Sequence, residues 1–146
     1  MFGIKKDGVV YLDRPGAYGV AHDGRGRFAL VALQQGLFLL GGGVHAGETA
    51  EEALRREVLE EVGVDLKILG ERETMGEYLY SSFYQKYFLK IGRVFELSLS
   101  SRVVEPIAAD HELVWLYPEE ALKGLCHEFQ RESLRRYIKE IMDARE

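Results

Sequence analysis

Apolar and polar positions along the first forty residues change over in short bursts. Tyr18-Gly-Val-Ala-His22 and Phe28-Ala-Leu-Val-Ala-Leu33 flank Asp23-Gly-Arg-Gly-Arg27, a pattern that predicts a strand, a turn and a buried strand. Gln34-Gln-Gly36 predicts a second turn and Leu37-Phe-Leu-Leu40 a third short strand, after which Gly41-Gly-Gly43 is expected to break regular structure. The period then changes. Leu54, Val58 and Val62 recur every fourth residue, the spacing of a helix with one buried stripe. Thr49 is a good N-cap with Glu52 three residues on, the capping-box arrangement, and Gly63 is placed as the C-terminal stop. The helix is therefore expected over about 49–62.

Beyond Gly63 the strand texture returns in Leu66 to Leu69, Glu77 to Tyr80, Tyr84 to Leu89, Val94 to Leu99 and His111 to Tyr117. Pro118 halts the last of these and opens a short helix to Leu125. Leu134, Tyr137, Ile138, Ile141 and Met142 then stand at helical spacing, so a final helix over about 127–144 should pack on the sheet. Strands on both sides of a central helix, with a helical tail, predict a single α/β domain over 1–146 with a mixed β-sheet.

Composition narrows the classes. The 146 residues are 47% hydrophobic and 29% charged, which excludes a disordered tail or a fibre. Nineteen basic against 24 acidic residues give a net charge of −5, so a nucleic-acid partner held by a broad basic surface is not expected. Cys126 is the only cysteine, which excludes an internal disulfide and fits a reducing compartment. Its expected role is a packed thiol. No apolar run is long enough for a membrane span, and Met1 to Asp7 lacks the apolar core of a signal peptide, so the expectation is a cytoplasmic protein.

One charge cluster departs from this ordinary picture. Between Gly42 and Val64 lie Glu48, Glu51, Glu52, Glu57, Glu60 and Glu61, offset only by Arg55 and Arg56. Glu60 and Glu61 stand three and four residues after Glu57 and so project from one side of the helix with it, where like charges repel. The cluster is tolerable if water solvates it or cations neutralise it. Hard divalent ions take carboxylates, waters and phosphate oxygens, and the Gly41-Gly-Gly43 backbone has no side chains to obstruct a metal or phosphate.

The spacing favours the second option. Gly42, five residues, Glu48, seven residues and Arg56-Glu57-Val58-Leu59-Glu60-Glu61-Val62-Gly63-Val64 resembles the Nudix box, Gly-x5-Glu-x7-Arg-Glu-U-x-Glu-Glu-x-Gly-U with U aliphatic, without gap or substitution. A chance match over this length is on the order of 10⁻⁷. The resemblance implies the Nudix α/β/α sandwich over nearly the whole chain. It also implies hydrolysis of a nucleoside diphosphate linked to another moiety, by water and Mg²⁺ or Mn²⁺. By position, Glu57, Glu60 and Glu61 match the metal-binding carboxylates and the Gly41 carbonyl a further ligand. Glu48 and Arg56 match an ion pair that ties the loop of Gly42 to the helix. The general base stays open among Glu57, Glu60, Glu105 and Glu112, since relatives recruit it from the box or from a later loop.

Two departures stand out. Leu39-Leu40-Gly41-Gly42 replaces the Leu-Pro-Gly-Gly of many relatives, and His45 stands where many carry Glu. Tyr80 falls where hydrolases of dinucleoside polyphosphates carry a tyrosine, making it a candidate base contact. Tyr78, Tyr84 and Tyr87 crowd the same segment, however, and strand aromatics ordinarily pack across strands. The resemblance admits a homodimer. Two other readings remain: a silent Nudix domain that senses a nucleotide, and isomerisation of an isoprenoid diphosphate, which would need a cysteine at the site.

Overall fold

A computed structural model describes residues 1–144. Strand β1 (Leu12–Val20) sends Ala17 into one apolar cluster and Tyr18 and Val20 into another. Strand β2 (Phe28–Leu33) divides the same way, Ala29 and Val31 against Phe28 and Leu30. Side chains of period two leave by opposite faces, so both faces of the strand layer are apolar and both need cover. Helix α1 (Ala50–Val62) covers the first with Leu54, Val58 and Val62. Helices α2 (Pro118–Gly124) and α3 (Glu128–Ala144) cover the second with Ala121, Phe129, Leu134, Tyr137 and Ile138. The outcome is the expected α/β/α sandwich.

The strands form two sheets. A mixed sheet runs β4 (Leu40–Gly43), β1, β6 (Lys86–Arg102), β5 (Val64–Ser81), with β1 and β6 parallel and the other pairs antiparallel. An antiparallel sheet runs β3 (Gly36–Phe38), β2, β7 (Glu112–Leu116).

Three expectations change. Gly41 to Gly43 do not break the sheet but belong to β4, paired with β1. The predicted strands 66–69 and 77–80 are one strand, β5, and 84–89 and 94–99 are one strand, β6. Their ladder is interrupted between Val64 and Leu66, Ile68 and Gly70, and Glu71 and Glu73. Bulges of this kind keep two strands paired where side-chain alternation slips, which is why the pattern reads as two pieces. Strand β1 also begins earlier than Tyr18, because pairing with β6 extends it back to Leu12.

Helix α1 starts as its sequence predicts. The Thr49 hydroxyl accepts the Glu52 amide at 3.1 Å and the Glu52 carboxylate accepts the Thr49 amide at 2.9 Å. Gly63 closes the helix at φ +73°. Thr49→Ala should cost about 1 kcal/mol by denaturant titration; an unchanged midpoint would mean the cap contributes nothing. Helix α3 is tied to the sheets by polar contacts. Ser133 donates to Glu73 at 2.9 Å, Tyr137 donates to Glu96 at 2.7 Å, and the Leu39 amide donates to Gln130 Oε1 at 2.8 Å. Among the described residues no helix is long and apolar enough to cross a membrane.

Candidate active site

The site is built where β4 closes on α1. Gly41 sits opposite Tyr18 and Gly42 opposite Ala17. At Gly41 φ is +116°, and a Cβ there would lie 2.1 Å from the Ala17 carbonyl oxygen. A Cβ on Gly42 would lie 2.7 Å from the Glu57 carboxyl carbon. The two glycines therefore allow the strand edge to approach both β1 and the acidic face of α1.

Arg56 organises the carboxylates. Its Nε and Nη2 donate to the two oxygens of Glu48 at 2.7 and 3.0 Å, a two-pronged pair. Nη2 also donates to the Gly43 carbonyl at 3.0 Å, and Glu48 accepts the His45 amide at 2.8 Å. The loop is thus tied to the helix through one guanidinium. The Arg56 hydrogen bonds hold the Glu48 carboxyl down at about 2, and the same contacts raise the guanidinium above its ordinary value. The remaining nitrogen, Nη1, donates to Glu57 at 3.1 Å and to Glu60 at 3.4 Å.

Glu61 turns the other way. Only 9% exposed, it accepts the Gly41 amide at 3.1 Å. Burial, then the nearby charges of Glu57 and Glu60, push its carboxyl up to about 8, against one favourable contribution from the Gly41 amide. An acid raised on folding holds its proton where the unfolded chain has released it. Metal-free protein should accordingly lose stability as pH rises from about 4.5 to about 8. The loss should be about 5 kcal/mol, with Glu61→Gln removing most of the slope. Melting in chelator across that window checks this, and parallel curves for the two proteins would contradict it.

Among the described residues no three His, Cys, Asp or Glu side chains converge into a ready cage for a metal. Glu57 and Glu60 face the Arg56 guanidinium, while Glu61 faces the Gly41 amide. The donor set nevertheless fits a hard divalent cation. It offers three carboxylates within one and a half turns of helix, one of them buried among like charges, beside a strand edge without Cβ atoms. At Gly41 the contact observed with the acidic face is through its amide, not through the carbonyl expected as a ligand.

A cavity of about 210 Å³ opens from this point between the sheets. It is lined by Glu61 and Gly41 to Gly43, by the apolar Val31, Leu33, Phe38 and Leu39 with Tyr18, and by Lys90, His127 and Gln130. The Phe38 and His127 rings are 5.7 Å apart, and Lys90 Nζ lies 3.5 Å from His127 Nε2. Burial and then the Glu57 and Glu61 charges push the Tyr18 hydroxyl up to about 12, whereas burial and Lys90 push His127 down to about 4. Sequence reasoning missed these lining residues. A signal existed for Lys90: it interrupts the inward positions Phe88, Gly92 and Val94 of β6 with a cation. Larger hollows of about 400 and 430 Å³ lie beside Trp115 and beside Thr49, but neither is lined by Glu57, Glu60 or Glu61.

The other candidates are spread out. Glu105 is paired with Arg102 at 3.1 Å, with 89% of its side chain exposed. Its loop is docked on α1, since the Ile107 and Ala108 amides donate to the Glu60 carbonyl. Glu112 opens β7 and is exposed. Tyr80 is 51% exposed and packs against Tyr87, with ring centres 4.8 Å apart, in the β5–β6 hairpin rather than in the cavity. His45 is exposed beside Glu48. Cys126 is exposed too, not the packed thiol expected, because α3 begins only two residues later and turns its apolar stripe elsewhere.

Comparison with known proteins agrees with this geometry. A family model described as the NUDIX domain matches residues 12–137. No curated protein matches the chain. Among solved structures it is similar to a NUDIX hydrolase from Nitrosomonas europaea, at 15% identity and TM-score 0.67, covering 86% of this chain and 88% of that one. It is also similar to the dihydroneopterin triphosphate pyrophosphohydrolase of E. coli, at 18% identity and TM-score 0.64, covering 90% and 99%. A MutT NUDIX hydrolase from Burkholderia pseudomallei shows 25% identity and TM-score 0.58 over 84% and 96%. The chain belongs to the Nudix hydrolase family, whose members act on phosphoric anhydrides and generally use divalent metals.

Proposed function

We propose that the protein is a pyrophosphohydrolase that cleaves the diphosphate of a nucleoside diphosphate derivative in the presence of Mg²⁺, with Mn²⁺ as a substitute. The observation that carries this reading is the close approach of the bare strand edge to the acidic face of α1, Gly42 against Glu57 and Gly41 against Glu61, with Glu61 lining a cavity and Glu60 beside them on the same Arg56 guanidinium. The three carboxylates, with the Gly41 carbonyl, would hold the cation. When bound, it supplies positive charge against the phosphate oxygens and acidifies water.

The rest falls to the chain. The Glu48 and Arg56 pair keeps the loop at its distance from α1, so that Gly42 stays in contact with Glu57. Water attacks one phosphorus, the phosphate on the other side of the anhydride leaves, and a carboxylate takes the proton released. Glu57 or Glu60 fills that role in this reading. Glu105 is the alternative base, on the loop hydrogen-bonded to the end of α1, and Glu105→Gln separates the options by sparing or abolishing turnover. Tyr80 remains a proposed contact only for a substrate long enough to reach the hairpin.

The test is a panel of nucleoside diphosphate derivatives, dinucleoside polyphosphates and oxidised nucleotides incubated with Mg²⁺, with products separated by chromatography. Turnover of a member, abolished by chelator and by Glu61→Gln, is the expected result. Binding without any product would sink the hydrolase reading and favour a sensor.

A further inference from the structure

We propose that the cavity beside Glu61 selects substrates carrying a keto-bearing base, with Lys90 as the specificity-determining residue. The inference rests on the reading of the site as a nucleoside diphosphate hydrolase and adds which nucleosides it takes.

Position comes first. The same cavity is lined by Glu61 and Gly41 to Gly43 and by Lys90, His127 and Gln130. A diphosphate held at the carboxylates therefore places its attached moiety in it. At about 210 Å³ it falls below the ~300–1,000 Å³ usual for whole drug-sized ligands, so it fits one flat ring system. Its walls say the same. Val31, Leu33, Phe38 and Leu39 are unsuited to a second phosphate, while the Phe38 and His127 rings offer faces for a heterocycle.

Polar chemistry then decides between bases. Gln130 Oε1 is already committed to the Leu39 amide, which leaves its NH₂ as the uncommitted end. Tyr18 keeps its hydroxyl proton, and Lys90 brings an ammonium with three donors. His127 supplies one acceptor, and that nitrogen faces Lys90. Among the cavity side chains other than Glu61, donors thus outnumber free acceptors. Guanine presents two neighbouring acceptors, O6 and N7, and uracil presents O4. Adenine and cytosine put an amino group at the corresponding position, donor against donor. An amino base would set its donor against the Lys90 ammonium, whose neighbour in the cavity is His127 Nε2 alone, the kind of mismatch that polar sites reject most strongly.

The experiment pairs guanosine with adenosine and uridine with cytidine. Triphosphates in Mg²⁺ report kcat/KM, and α,β-methylene diphosphates of guanosine and adenosine report binding by calorimetry without turnover. Wild-type protein should favour the keto member of each pair by about tenfold or more. Lys90→Met should bring the ratio to within about threefold, and Lys90→Arg, with charge and donors retained, should keep the preference. Should the Met variant fail to fold by its melting curve, Lys90→Gln reads the same ratio, because its amide accepts from an amino base as readily as it donates. Equal treatment of both bases by the wild type, or a preference that survives Lys90→Met or Lys90→Gln, would overturn the assignment. Discrimination in binding with no turnover would overturn the hydrolase reading and leave base selection standing; turnover without discrimination would do the reverse. Neither binding nor turnover with any of the four would overturn the assignment.

Discussion

Glu57→Gln and Glu61→Gln will each lower kcat by on the order of 10³-fold at saturating Mg²⁺, a loss of several kcal/mol of transition-state stabilisation. Both replacements keep the shape of the side chain and remove one negative charge. In Glu61 the amide oxygen of glutamine can still accept the Gly41 N–H that the carboxylate accepts at 3.1 Å, so the strand edge stays in place. The charge is what is lost, and in the proposed chemistry the charge holds the cation. Stability should move the other way. Glu61 is buried beside Glu57 and Glu60, so a neutral isostere relieves repulsion and the metal-free Glu61→Gln protein should melt higher near pH 8. A variant that is more stable and nearly inactive separates loss of function from loss of fold. If both variants turned over like the wild type at saturating Mg²⁺, the assignment of the carboxylates would be wrong.

Gly41→Ala should be the most damaging small change in the loop, costing about 3 kcal/mol or more in chemical denaturation. Two penalties act together. The backbone there has φ +116°, a conformation that L side chains rarely adopt, and the added Cβ would lie 2.1 Å from the Ala17 carbonyl oxygen. Neither the β1 backbone nor β4 has a flexible side chain that could give way. Gly43→Ala is the natural control, since nothing lies within 4 Å of a Cβ at that position, and it should cost far less. Equal effects at the two positions would show that neither the left-handed backbone at Gly41 nor the close approach of β4 to β1 sets the requirement for glycine.

Much of the molecule could be read before any coordinates. Helix α1 carries its own punctuation in Thr49, Glu52 and Gly63, and each was found in the role its chemistry dictates. The Glu48 and Arg56 pair was suggested only by the resemblance to the Nudix box, since nothing in the eight-residue spacing by itself says that a loop residue returns to the helix. The merged hairpin of β5 and β6 was not legible. Its bulges shift the alternation without ending the pairing, and a reader of side chains alone sees the shift but not the ladder. The strand character of Gly41 to Gly43 was hidden for a related reason: glycine carries no side-chain pattern, so its place in β4 follows only from the neighbour it pairs with.

What local sequence determined, then, was the set of elements with internal signals and the acidic cluster whose three members share a helix face. Those depend on residues within a few turns of one another, where spacing is geometry. The tertiary structure alone decided which way each carboxylate turns, with Glu57 and Glu60 toward Arg56 and Glu61 toward Gly41. It alone brought Tyr18, Lys90, His127 and Gln130 around one cavity from β1, β6 and the start of α3. Residues separated by up to 112 positions meet there because two sheets and a helix pack at their apolar faces, and that packing is a property of the whole chain.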